Sequence, residues 1–142
     1  MTHLLRKTLL GCGILSLILS FQTSQANAEE KGTRFFEIRT YTTHPGKLDA
    51  LHARFRDHTN RIFKKHGMQL VGYWTPTDEA LKNNTLVYIL AYKDQAAREK
   101  AWAAFRNDPD WQEAFQASRE DGPIVKKVDS KFLMPTDYSP IK

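Results

Sequence analysis

The chain has 142 residues, 21 of them Lys or Arg against 16 Asp or Glu, for a net charge of +5, and a single cysteine. That length suits one domain with a core large enough to stand without staples, and one cysteine excludes an intramolecular disulfide framework. The positive balance is too mild for a dedicated nucleic-acid binder, so no nucleic-acid partner is expected.

At the N-terminus, Arg6 and Lys7 precede an apolar run over residues 8–21, and a polar stretch then ends in Ala26, Asn27 and Ala28. This order predicts a secretory signal peptide over residues 1–28, cleaved before Glu29. The apolar run is short of the roughly 20 residues a membrane span needs and is interrupted by Gly11, Gly13 and Ser16, so no stable span is expected after cleavage. Leu9, Leu10, Gly11 and Cys12 resemble a lipobox, but the apolar run continues beyond Cys12, which favours cleavage near Ala28 over lipidation. The leader holds two basic residues, no acidic ones and the cysteine, so the mature charge falls to +3 with no thiol left. The mature protein is expected in a bacterial periplasm or secreted. A short lead at 29–34, a domain at 35–134 and a tail at 135–142 complete the expected division.

The mature elements follow from period and punctuation. Residues 35–41 read as a strand, with Phe36, Ile38 and Thr40 on one face and Phe35, Glu37, Arg39 and Tyr41 on the other. Pro45 and Gly46 turn the chain into a helix with an apolar stripe of Leu48, Leu51, Phe55, His58 and Ile62. Lys64, Lys65 and His66 set positive charge at the helix end, and Gly67 closes it. A second strand over 68–75 stops at Pro76, a polar loop follows to Asn84, and residues 86–93 form a third strand that is apolar on both faces. Asp94 caps a helix running to about Phe105. Asp108 with Pro109 opens a short helix carrying Trp111 and Phe115, and residues 125–133 give a last strand. The order is that of an α+β, ferredoxin-like domain: a four-stranded antiparallel sheet with its helices on one face.

The 35–41 strand with His44, Pro45, Gly46 and Lys47 resembles the NIPSNAP family of small ferredoxin-like domains, as do Gly72, Tyr73, Trp74 and the later Asp108, Pro109, Asp110 and Trp111. The resemblance runs from about Phe35 to about Leu133. It implies the fold and a dimer, since such domains are similar to the dimeric α/β barrel proteins, and it implies no particular reaction.

A burial argument points the same way. If helices cover one face of the sheet, the uncovered face is expected to expose Phe35, Tyr41, Leu86, Tyr88, Leu90 and Trp74, a larger apolar patch than soluble monomers tolerate. A second copy is the simplest cover, giving a homodimer in which two sheets face each other as a barrel. Glu37, Arg39, Tyr41, Trp74, Tyr88 and Tyr92 then line a pocket between the sheets for a small aromatic or anionic ligand. There Arg39 would hold an anion, and Glu37 would orient it or act as a base if burial raises its pKa. The competing reading is that Glu37 and Arg39 neutralise each other and the aromatics pack the dimer core.

The remaining residues bound the chemistry. His52, His58 and His66 lack the i, i+4 spacing by which one helix chelates a metal, so no metal is expected. His58 reads as a core histidine and His66 as a helix-end charge. No cofactor is indicated, although a haem ligand role stays open for either. No serine lies in a Gly-x-Ser-x-Gly turn, and the glycines are too scattered for a phosphate loop. Arg54, Arg56, Arg61, Lys64 and Lys65 read as the solvated side of the first helix, and Trp102 and Trp111 as core closures. Three functions remain open: an exported ligand-binding homodimer, a cofactor-independent monooxygenase or isomerase on an aromatic or enolisable molecule, and an envelope interaction module with a filled barrel.

Overall fold

A computed structural model describes residues 34–142; the expected leader over residues 1–28, the expected cleavage before Glu29 and Cys12 fall outside the described residues. Strand β1 (Phe35–Thr43) leads into a helix built from α1 (Leu48–Arg54), a π-helical turn (Phe55–Thr59) and α2 (Asn60–Lys65). Strands β2 (Gln69–Trp74) and β3 (Thr85–Tyr92) follow, then α3 (Gln95–Arg106), α4 (Pro109–Ala117) and β4 (Val125–Leu133). The sheet order is β2-β3-β1-β4, with antiparallel pairing throughout. This is the α+β ferredoxin-like arrangement, and each predicted element is present.

Local chemistry explains the boundaries. Asp94 accepts a hydrogen bond from the Ala97 amide at 2.7 Å, and Asp108 accepts one from the Asp110 amide at 2.9 Å, so both helix starts are capped by carboxylates. Pro109 fills the first position of α4, where a missing N–H costs nothing. Gly67 stops α2 at φ 75°, a left-handed conformation that a side chain would strain.

The π-helical turn changes which side of the first helix is buried. The Asn60 amide reaches back five residues to the Phe55 carbonyl, and Thr59 Oγ1 donates to the Arg54 carbonyl at 3.1 Å. The extra residue in that turn rotates everything after it. The buried positions run Leu48, Leu51, Arg54, Phe55, Thr59, Ile62 and Phe63, so His58 is exposed and does not lie on the apolar stripe as the regular period predicted. Arg54, expected on the solvated side, is buried.

The sheet's two faces are also the reverse of the expectation. On β3, Leu86, Tyr88, Leu90 and Tyr92 are buried while Val87 and Ile89 are half-buried. In register, Arg39 faces Tyr88 and Glu37 faces Leu90, so this face of β1 and β3 is the one the helices cover. Tyr88, Leu90 and Tyr92 join Leu51, Ile62, Phe63, Trp102 and Phe105 in the core, with Phe35 and Tyr41 packed against it. The patch expected to demand a partner is thus satisfied within the chain. A fully buried Leu or Phe contributes about 2 kcal/mol, and Phe63 shows how densely the layer is used, with rings of Tyr88, Trp102 and Phe105 centred within 6.2 Å of its own.

The other face presents Ile38, Thr40, Val87 and Ile89 at its centre, with Trp74 50 % exposed on β2 and Lys127, Asp129 and Lys131 along β4. The tail after β4 lies beside one end of it. An open cleft of about 360 Å³ lies there between Phe36, Val71 and Ile89 of the sheet and Met134, Pro135 and Ile141 of the tail. Arg34 anchors the tail by donating to the Lys142 carbonyl.

Candidate functional site

Five of the six residues singled out as ligand-binding come together under the helices, around Glu37. Its carboxylate is 0 % exposed and accepts five hydrogen bonds. Oε1 receives Arg39 Nη1 at 2.7 Å and Arg98 Nη2 at 2.9 Å. Oε2 receives Trp102 Nε1 at 2.8 Å, Arg98 Nε at 2.9 Å and the Tyr92 hydroxyl at 3.2 Å. Arg39 also stacks on Trp102 at 4.4 Å and reaches the Tyr41 hydroxyl at 3.4 Å, and the Tyr41 ring meets Tyr88 edge-on at 5.3 Å. Trp74 takes no part, because its strand position turns it to the open face.

Electrostatics decide what this cluster can do. Burial by itself would raise the Glu37 pKa, but the donors on Arg98, Arg39 and Trp102 outweigh it and lower the value to about 2. A carboxylate so held, with both oxygens occupied, is a poor proton acceptor. The expectation that burial would raise its pKa is therefore corrected: burial acts in that direction and loses. Burial pushes the Tyr92 and Tyr88 phenols above their usual range. The cluster reads as an internal brace joining β1, β3 and α3.

A cleft of about 420 Å³ lies elsewhere, where the π-helical turn meets the ends of β2 and β3. His52, Phe55, Arg56, Asn60, Tyr73, Trp74, Thr75 and Leu86 line it. Its wall holds two buried polar atoms without a hydrogen-bond partner among the described residues, Asn60 Oδ1 and the Tyr73 hydroxyl, and burial raises the Tyr73 pKa. π-helical turns occur disproportionately at functional sites. Sequence reasoning found Trp74 here and missed His52, Arg56, Asn60 and Tyr73. The π-helical turn brings Asn60 to the cleft, and nothing in the 55–59 sequence announces such a turn.

At the opposite end of the first helix, His66 Nε2 lies 2.6 Å from Asp108 Oδ2 and Lys65 Nζ lies 2.8 Å from the same oxygen. The Lys65 hydrogen bond, with that of His66, holds the Asp108 carboxyl well below the usual range. His66 thereby ties α2 to the start of α4. Among the described residues no group of three His, Cys, Asp or Glu is placed to hold a metal ion, and no helix is long and apolar enough to cross a membrane.

Comparison with known proteins adds a family. A family model described as NIPSNAP matches residues 36–140. A NIPSNAP family protein of unknown function from Agrobacterium tumefaciens superposes with a TM-score of 0.67 at 28% identity, covering 79% of this chain and 96% of its own. A NIPSNAP-like domain protein from Burkholderia xenovorans gives 0.66 at 23%, covering 77% and 90%. A protein from Chloroflexus aurantiacus described as a putative antibiotic biosynthesis monooxygenase gives 0.50 at 15%, covering 78% and 100%, a likeness of fold alone. No curated protein sequence matches the chain significantly.

Proposed function

The chain belongs to the NIPSNAP family, and from that premise we propose that its mature domain is an exported homodimer that binds a small, partly aromatic molecule in the cleft at the π-helical turn. The observation that carries the ligand reading is the cleft itself. Its volume of about 420 Å³ falls within the range of small-molecule sites, and its walls combine aromatic rings with a few polar groups, the usual makeup of such a site. The binding position moves away from the space between two sheets, because Glu37, Arg39, Tyr41, Tyr88 and Tyr92 are committed under the helices.

Support for the homodimer comes from the open face of the sheet. Ile38, Val87 and Ile89 form an apolar centre there, flanked by Trp74 and rimmed by the charges of β4. An apolar middle with a polar edge is the anatomy of a protein interface, and a two-fold pairing places the same patch on both sides. Export rests on the order of charge, apolar run and small residues in the leader.

Turnover is the second reading. A cofactor-independent monooxygenase or isomerase needs a group to remove a carbon-bound proton. Glu37 is saturated by its donors, and the imidazole at the cleft is that of His52. Simple binding asks less of these residues and is preferred.

Native mass spectrometry of protein exported by its own host tests all three parts. The expected mass is twice that of residues 29–142 plus a few hundred daltons that leave on denaturation, with the added mass lost in Asn60→Leu. A bare dimer overturns the ligand reading and favours an interaction module. A monomer overturns the dimer, and a chain retaining residues 1–28 overturns cleavage.

A further inference from the structure

Arg54 is 5 % exposed, yet no carboxylate among the described residues pairs with it. Its Nη1 donates to Ser118 Oγ at 3.2 Å, and its guanidinium lies 5.4 Å from the Trp111 ring and 5.5 Å from the Phe115 ring. Arg119 approaches the same Phe115 ring at 4.7 Å. Two cations therefore flank one aromatic ring with no anion between them. Phe115 offsets part of that charge through its π-face, but a buried guanidinium ordinarily requires a carboxylate or phosphate.

The protein contains its own template for what is missing. Arg98 clasps Glu37 through its Nε and Nη2 edge, two parallel bonds of 2.9 Å each. The corresponding edge of Arg54 makes no hydrogen bond among the described residues, and its Nε is buried and unpaired. Arg54 and Arg119 both line a cleft of about 280 Å³, whose remaining walls are Phe115, Pro123, Ile124, Val125 and Val128. A planar guanidinium edge selects a planar two-oxygen acceptor, and apolar walls select a hydrocarbon body.

We propose that this cleft, between α1, the end of α4 and the start of β4, is a second binding site, for a small monocarboxylate, with Arg54 holding the carboxylate and Arg119 neutralising it at the mouth. The cleft is separate from the one at the π-helical turn, so either site stands if the other fails. Glu120 and Asp121 follow Arg119 in the chain but are exposed and pair with neither arginine.

Nuclear magnetic resonance of residues 29–142 tests the proposal, with hexanoate as probe and hexanol and inorganic phosphate as controls. Hexanoate is expected to move the Arg54 Nε–H signal saturably, hexanol is expected to leave it in place, and phosphate is expected to bind far more weakly. Arg119→Gln, an exposed substitution that spares the core, should weaken hexanoate about tenfold, as loss of a charge-assisted contact does. Arg54→Gln removes the Nε–H reporter, so it is read through the backbone amides of Ile124, Val125 and Val128, which line the cleft; their hexanoate shifts should be lost while the rest of the spectrum stays native-like. A signal unmoved by hexanoate, an equal response to hexanol or phosphate, or unchanged affinity in Arg119→Gln would each overturn the site.

Discussion

Glu37→Gln keeps the size of the side chain and removes its charge, leaving the half-buried Arg39 and Arg98 beside a neutral amide. Breaking a buried ion pair from one side costs on the order of 3 kcal/mol, so the urea midpoint of the variant should fall with the slope unchanged. The pH dependence follows from the same geometry. The carboxyl is lowered from 4.5 to about 2 in the folded chain, so the unfolded chain takes up the proton first. Its contribution is complete above about pH 4.5 and drains away as pH falls toward 2. Urea titrations across that window should show a steeper acid loss in the native protein than in Glu37→Gln, and parallel curves would remove Glu37 from the brace. A second residue-scale case is Gly72. A Cβ built there would lie 2.6 Å from Cη2 of Trp74, so the indole rests directly on the glycine. Gly72→Ala should displace the half-exposed ring into water and red-shift its fluorescence with little loss of stability, and an unshifted spectrum would contradict that seating.

Among the elements, the first helix carries most of what the sequence hid. A regular period put His58 on the buried stripe and Arg54 in solvent; one additional residue in the π-helical turn moves His58 out and Thr59 in. Helix ends and strand limits were legible because Asp94, Asp108, Pro109 and Gly67 act on the backbone within a few residues. A π-helical turn depends on tertiary packing, so nearby residues do not reveal it. The face of β1 was misread for a related reason. Glu37 and Arg39 look too polar for a helix-covered face until Arg98 and Trp102, more than 60 positions later, supply the donors. Five of the six candidate site residues, expected between two sheets, thus meet under the helices of one chain, and Trp74 does not join them. The π-helical turn itself is testable: Thr59→Val keeps the branched shape and removes the hydroxyl that satisfies the Arg54 carbonyl, and should cost about 1 kcal/mol, measured by thermal or urea unfolding. No change in stability would mean that the hydroxyl does not support the turn.

For the whole molecule, the question is what the open sheet face meets. Ile38 and Ile89 stand opposite each other on adjacent central strands, so a charge at either position would lie in the middle of a two-fold interface while being solvated in a monomer. Ile89→Glu should therefore sediment as a monomer with near-native secondary structure, and a dimer unaffected by the change would move the interface elsewhere.

The central strand also has a temporal meaning. Among the described elements β1 comes first in the chain, yet it pairs along nearly its whole length with β3 on one side and with β4, the last of them, on the other, and three of the five donors to its carboxylate come from α3. Until the chain through β3 and α3 has emerged, the strand has no neighbour and Glu37 has only Arg39 of its own strand as counter-ion, and the cost of closing those long loops comes before any gain from pairing. An emerging chain is therefore held open by its own connectivity: premature folding is disfavoured, and the sheet closes late, around a strand that has waited longest.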